Sequence, residues 1–226
     1  ANIDEAKNHY DVRSIYTKEC GAALAREMDK NVLQTAVLAA RDSATVAGAP
    51  GGSVINGGAT VATDGDELVS AAFTAAQILD EKDVPSEGRF MVVRPAQYYL
   101  LIQSDKLISR DFSSGNGDFA GARVLKAADF EVVKSNNLPS TNITDPGGTV
   151  GARPSTDKYA GDFSNTTALV MNPMAVGTVK LMDLAVEGEY QINRQGTLIV
   201  AKYAVGHGIL RPECAVEISS AAPAGG

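Results

Sequence analysis

Residues 11–41, DVRSIYTKECGAALAREMDKNVLQTAVLAAR, decide how the chain is read. No proline interrupts the stretch, and Gly21 is its one poor helix former. Asp11 can cap its start, because a short side-chain oxygen there accepts a hydrogen bond from a free backbone N–H of the first turn. About thirty residues at ~1.5 Å rise make a rod of ~45 Å, about as long as a compact domain of this size is wide. Its apolar residues fall into two groups. Val12, Ile15, Tyr16, Cys20 and Ala23 share a face near the start, and Leu33, Ala36, Val37 and Ala40 share roughly the same face near the end. Between them Arg26, Glu27 and Lys30 point the same way, where a core helix should be apolar. Either the middle of the rod crosses solvent, or another subunit covers it and pairs with those charges.

The chain has 226 residues, with 20 basic and 27 acidic side chains and a formal charge of −7. This length fits one large domain or two smaller lobes sharing a core. No apolar run approaches the ~20 residues that span a bilayer, and no basic, apolar, small-residue signal opens the chain. The acidic balance argues against a protein that grips nucleic acid by its phosphates, which needs clustered Lys and Arg. Cys20 and Cys214 form neither a disulfide framework nor a zinc site. Both read as small buried hydrophobes in a reducing compartment.

Residues 1–10 are a polar lead-in to the rod. Residues 44–58 carry five glycines and one proline and read as a flexible loop. Residues 59–62 read as a brief strand. Asp64 opens a second helix, with Glu67 three residues on, a pair suited to capping the first turn reciprocally. Leu68, Ala71, Ala72, Ala75, Ile78 and Leu79 form its apolar stripe. Residues 89–93 read as a buried strand, and Pro95 opens a short helix over 96–103, since its fixed φ suits the first helical position. Strands are expected at 130–134, 168–171, 184–190 and 198–205, with a helical turn at 173–178 and a bend at Gly206 and Gly208. Residues 136–165 are rich in Pro, Gly, Asn, Ser and Thr, and a loop that long is usually functional or mobile. At the end, Cys214, Val216 and Ile218 alternate with Ala215, Glu217 and Ser219, the period of a half-buried strand. Helices and strands do not alternate as βαβ, so the class is α+β with two lobes. One lobe is built from both chain ends, and the other from the middle.

Residues able to do chemistry are sparse. His9 and His207 each lack a second His or Cys at ligand spacing, and no Gly-x-Ser-x-Gly elbow is present. The short glycine pairs do not make a dinucleotide or phosphate-binding loop. Asp64/Asp66 and Glu187/Glu189 are better caps and solvated strand faces than acid/base dyads. No catalytic, cofactor-binding or metal-binding residue is therefore assigned. An oversized helix and long loops favour an assembly protein over an enzyme.

Two C-terminal blocks carry a resemblance. Ala175-Val-Gly-Thr-Val-Lys-Leu-Met-Asp-Leu-Ala185 and Leu198-Ile-Val-Ala-Lys-Tyr-Ala-Val-Gly-His-Gly-Ile-Leu-Arg-Pro-Glu213 closely resemble the major capsid protein of short-tailed phages of the autographivirus (T-seven-like) group. Tyr10-Asp-Val-Arg-Ser-Ile-Tyr16 resembles the start of that family's spine helix, and Val84-Pro85, Phe90 to Pro95 and Phe130-Glu-Val-Val133 follow in order.

The resemblance implies a Hong-Kong-97-type capsid fold. Residues 1–87 and 191–226 would form a peripheral domain that includes the spine helix 11–41, and residues 88–190 an axial domain. Copies of the chain would assemble as hexamers and pentamers into an icosahedral shell, in the host bacterial cytoplasm. That shell would enclose double-stranded DNA without binding it specifically, with scaffolding, portal and cement proteins as partners and no cofactor or membrane. Arg26, Glu27 and Lys30 are the expected subunit-interface residues. The family's N-terminal arm and extended loop are absent, so this chain is expected to be part of a longer protein. Two other readings compete: a bacterial encapsulin-like nanocompartment shell, and, more remotely, an enzyme or ligand-binding domain with a lid at 136–165.

Overall fold

The computed structural model describes residues 12–104, 117–118, 123–124, 126–143, 159–194 and 196–222. Asp11, His9 and residues 144–158 of the 136–165 segment lie outside these residues. The rod is helix α1, Val12–Arg41. It is followed by α2, Gly65–Glu81, and α3, Pro95–Gln103. Among the described residues there are twelve strands. They are β1 Ser53–Asn56, β2 Phe90–Val93, β3 Gly117–Asp118, β4 Arg123–Val124, β5 Lys126–Ala127 and β6 Phe130–Lys134, then β7 Asn142–Ile143, β8 Gly161–Asp162, β9 Thr166–Met171, β10 Val176–Gln191, β11 Gly196–Ile209 and β12 Ala215–Ser219. Contacts divide the chain into two compact units, Ala1–Asp29 with Thr178–His207, and Lys30–Gly177 with Gly208–Gly226. Helix α1 contributes to both.

The second unit is built on a six-stranded sheet in the order β1-β12-β9-β2-β6-β5. Strand β1 runs parallel to β12, with Ser53 opposite Val216, and β12 runs antiparallel to β9. The last strand in the chain is therefore internal to the sheet. This explains why the alternation in residues 214–219 misleads. All five residues of β12 are buried, because both sheet faces are covered. Val216 and Ile218 lie on one face, and Glu217 lies on the other with no exposed surface at all. The half-buried reading fails at Glu217, whose carboxylate has a partner instead of solvent.

That partner is Arg41, the last residue of α1. Its Nε donates to Glu217 Oε2 at 2.6 Å and its Nη2 to Glu217 Oε1 at 2.7 Å, a bidentate pair. Its Nη1 donates to the Asp162 carbonyl at 2.6 Å, and its guanidinium lies 5.4 Å from the centre of the buried Phe163 ring. Thr166 donates its hydroxyl proton to Glu217 Oε1 at 2.6 Å. A cation at a helix C-terminus also meets the favourable end of the helix dipole. The turn before it supplies core: Ala36, Val37, Ala39 and Ala40 are buried, as the spacing within the rod requires.

Helix α2 begins where expected. Asp64 is its N-cap, and its Oδ1 accepts from the Asp66 N–H at 2.9 Å. Leu68, Ala71, Ala72, Ala75 and Leu79 are buried, and Ile78 packs against them. The helix contacts β12, β1 and α3. Beyond its end, Arg89 is buried and donates to the Val84 and Pro85 carbonyls while pairing with Asp80 at 2.8 Å.

Two local expectations are corrected. Residues 44–58 do not form only a loop, since 53–56 are the edge strand β1. Lys82 fixes the approach to it, donating at 2.6 Å to both the Gly51 carbonyl and Ser53 Oγ. Burial pushes the Lys82 ammonium below its usual range, against the opposing pull of Glu213 and Cys214. Gly52 has no room for a Cβ, which would overlap the Ala39 carbonyl at the end of α1. Residues 59–62 form a 3-10 turn, not a strand.

In the first unit, β10 and β11 pair as a two-stranded sheet. Strand β11 continues through Gly206 and Gly208 to Ile209. His207 is buried within it, its Nδ1 3.0 Å from the Thr178 hydroxyl. Cys20 corrects the sequence reading in the other direction, being exposed on α1, whereas Cys214 is buried and its thiol is pushed up by that burial.

Two predictions follow from this packing. Removing one partner of a buried ion pair leaves the other uncompensated, so Glu217→Ala should lower unfolding free energy by about 3–5 kcal/mol in chemical denaturation. A loss below about 1 kcal/mol would show that the pair contributes little. Burial holds the His207 imidazole below its ordinary range. The unfolded chain therefore binds that proton more readily, and stability is full above pH ~6.5 and falls as pH drops through and below it. Melting curves of the parent and His207→Gln should diverge over that window, with the parent losing more.

Candidate functional site

The rod's two apolar groups have different fates. The group near its end is core, but Ile15 and Tyr16 near its start are 50% and 67% exposed, and Cys20 and Ala23 are exposed too. Arg26 and Lys30 are exposed, one turn apart, and Glu27 beside them is half-buried. Arg26 and Glu27 belong to the first unit and Lys30 to the second. One continuous helix, Val12–Arg41, carries all three.

Sequence reasoning missed the larger feature of the first unit, the exposed apolar surface of β10 and β11. Val179, Leu181 and Ile192 are 74%, 83% and 78% exposed, and Leu184, Val186 and Tyr190 are also exposed. The signal lay in residues 179–186, where apolar residues sit at both odd and even positions. That is the pattern of a strand with no single solvent face. A two-stranded sheet with apolar groups on both sides is marginal in water.

On one side of this sheet a groove of about 220 Å³ opens against α1. Leu24, Ala25 and Met28 line it from the helix, and Met182, Leu184 and Tyr203 from the strands. Tyr203 donates its hydroxyl proton to the Leu24 carbonyl at 3.3 Å, tying β11 to the helix backbone. At the groove, Lys180 pairs with Asp183 at 3.2 Å, and elsewhere on the sheet Lys202 pairs with Glu187 at 2.8 Å. Both pairs are solvent-exposed and hold little energy. Glu187 thus has a partner, and Asp64 and Asp66 serve the start of α2, where Ser104 Oγ donates to Asp66 Oδ1.

Among the described residues, no group of three or more His, Cys, Asp and Glu side chains is placed to hold a metal ion. No described helix is long and apolar enough to cross a membrane. Arg94, whose charge burial disfavours, donates to the Thr166 carbonyl at 2.9 Å, a structural contact beside the Arg41 network. What the described residues offer is apolar surface to be covered.

The family model described as "Gp10A-like: Major capsid protein" matches residues 1–219. The chain is 32% identical over 231 residues to the major capsid protein of Escherichia phage T7, covering 95% of this chain and 67% of that relative. The capsid structure of the cyanophage P-SCSP1u matches with a TM-score of 0.84 and 39% identity, over 98% of this chain and 69% of that one. The mature capsid of bacteriophage PhiM1 matches with a TM-score of 0.74 at 22% identity, over 96% and 67%, a likeness of fold. The α+β arrangement is the Hong-Kong-97-type phage capsid fold, and this role as a shell component of a tailed phage is a structural one. The chain belongs to the Gp10A-like family of phage major capsid proteins.

Proposed function

We propose that the chain assembles as hexamers and pentamers into an icosahedral shell enclosing the double-stranded DNA of a tailed phage, and that it has no catalytic activity of its own. Assembly would take place in the host bacterial cytoplasm, with scaffolding, portal and cement proteins as partners. The observation that carries this reading is the exposed apolar surface of β10 and β11, together with the exposed start of α1. Large contiguous apolar surface is uncommon on monomeric soluble proteins and marks a surface meant to be covered. In a shell, neighbouring subunits cover it.

Residues 1–87 and 191–226 would act as the peripheral domain, with the spine helix, and residues 88–190 as the axial domain. The tip of the axial domain would converge at hexamer and pentamer centres. Arg26, Glu27 and Lys30 would be edge contacts on the spine. Charged groups at such edges fix register and exclude wrong pairings more than they add affinity.

Electron microscopy of the expressed protein tests this directly. The parent should form closed particles, and the variant carrying Arg26→Ala, Glu27→Ala and Lys30→Ala should form few or none. Arg26 and Lys30 are exposed, where substitutions usually change stability by no more than about 0.5 kcal/mol each, and Glu27 is half-buried and outside the core, so the variant subunit should stay folded by circular dichroism. Normal particles from it would refute the edge role. The net charge of −7 supports a second expectation, that the shell encloses its genome without gripping it. Subunit affinity for duplex DNA should be no tighter than about 10⁻⁴ M, the weak end of non-specific binding, with a shallow salt dependence. Tight, steeply salt-dependent binding in fluorescence anisotropy would contradict it.

A further inference from the structure

Strand β1 ends on an exposed Asn56 followed by Gly57. An asparagine before glycine is chemically labile, because the next backbone nitrogen can attack the side-chain carbonyl with no Cβ in its way. Replacing the glycine is not open to this fold. A Cβ at position 57 would overlap Val61 Cγ2, and Val61 is a buried member of the core. Packing therefore keeps a glycine behind the exposed Asn56 at the end of an edge strand.

Two hydrogen bonds act on the reacting atoms. The Gly57 N–H donates to the Ser219 carbonyl at 3.0 Å, extending the β1–β12 ladder by one residue. The Gly58 N–H donates to Asn56 Oδ1 at 3.2 Å. The first holds the proton that the attacking nitrogen must lose. The second fixes the side-chain amide from the other side of the same turn. The first depends on the end of β1 staying in place beside Ser219, and the second is local to the turn.

We propose that Asn56 is a latent deamidation site, protected while β1 is paired with β12 and exposed to reaction when that edge opens. In the reaction the Gly57 nitrogen gives its proton to hydroxide and forms a bond to Asn56 Cγ. The Cγ–Nδ2 bond then breaks, and Nδ2 leaves as ammonia after taking a proton from water. Water opens the resulting cyclic imide to aspartate or isoaspartate. The product adds one negative charge where the edge strand meets the end of β12. The isoaspartate form also adds a methylene to the backbone. Either change works against renewed pairing, so one opening event that leads to reaction is recorded permanently.

The test compares the folded chain with the same chain in urea at one mildly alkaline pH and temperature, using peptide mapping by mass spectrometry to follow residue 56. Asn116–Gly117, the other Asn-Gly pair in the chain, reports in the same digest that the chemistry has run in the unfolded sample. Asn56 in the folded chain should convert at least about tenfold more slowly than in urea, the factor that ~1.4 kcal/mol of opening free energy gives. The Gly57 amide should also be protected from hydrogen exchange in the folded chain. A folded-state rate within tenfold of the unfolded one would overturn the proposal. So would an Asn56 that stays an amide in urea, or a Gly57 amide that exchanges as fast folded as unfolded.

Discussion

The bidentate pair between Arg41 and Glu217 is the constraint on which the second unit depends. A carboxylate with no exposed surface in the middle of a sheet is costly unless it is paired and fully hydrogen-bonded. Here the pairing group comes from the last turn of a thirty-residue helix, which is thereby fixed in position against β12. Thr166 and the Asp162 carbonyl take up remaining hydrogen-bonding capacity, and the Phe163 ring lies beside the guanidinium. Such a network specifies one arrangement more strictly than apolar packing does, because a slip of one residue would leave a charge buried and alone. Lys82 and Arg89 repeat the pattern on a smaller scale, the first held on the Gly51 carbonyl and the Ser53 hydroxyl, the second on the Val84 and Pro85 carbonyls.

Much of this was legible beforehand where one local force dominates. The rod, the capped start of α2 and its alanine-rich stripe follow from helical period and cap chemistry, and the structure keeps all three. Phe90–Val93 and Phe130–Lys134 were legible because short apolar runs bounded by turn residues have few alternatives. The errors come from tertiary context. Glu217 looked solvent-facing because its partner is 176 residues away in sequence, and no local pattern reports that. Ser53–Asn56 looked like loop because glycines flank it on both sides, yet Gly52 is there for close approach to the end of α1, not for freedom. Cys20 looked buried because its helix face is apolar, yet within this chain that face remains uncovered.

The candidate surface divided in the same way. The charged break at Arg26, Glu27 and Lys30 was visible because it interrupts a period. The apolar surface of β10 and β11 was not, because a strand apolar on both faces reads simply as a strand. Its meaning appears only once the exposures are known and nothing in the first unit shields those groups. A protein that works by being assembled has this character: its functional residues are ordinary apolar and charged side chains, distinguished by what they lack within one subunit.

The sheet order has a consequence for the timing of folding. β12 lies between β1 and β9, yet it is the last of the twelve strands to leave the ribosome. Until Ala215–Ser219 has emerged, β1 has no neighbour in the ladder, β9 has an open flank, and Arg41 has no carboxylate to receive it. Contacts that join such distant parts of a chain also form slowly. Until the sheet closes, the open flank of β9 is an edge of the kind that invites wrong pairing, so the exposure of that edge lasts as long as Ala215–Ser219 takes to arrive.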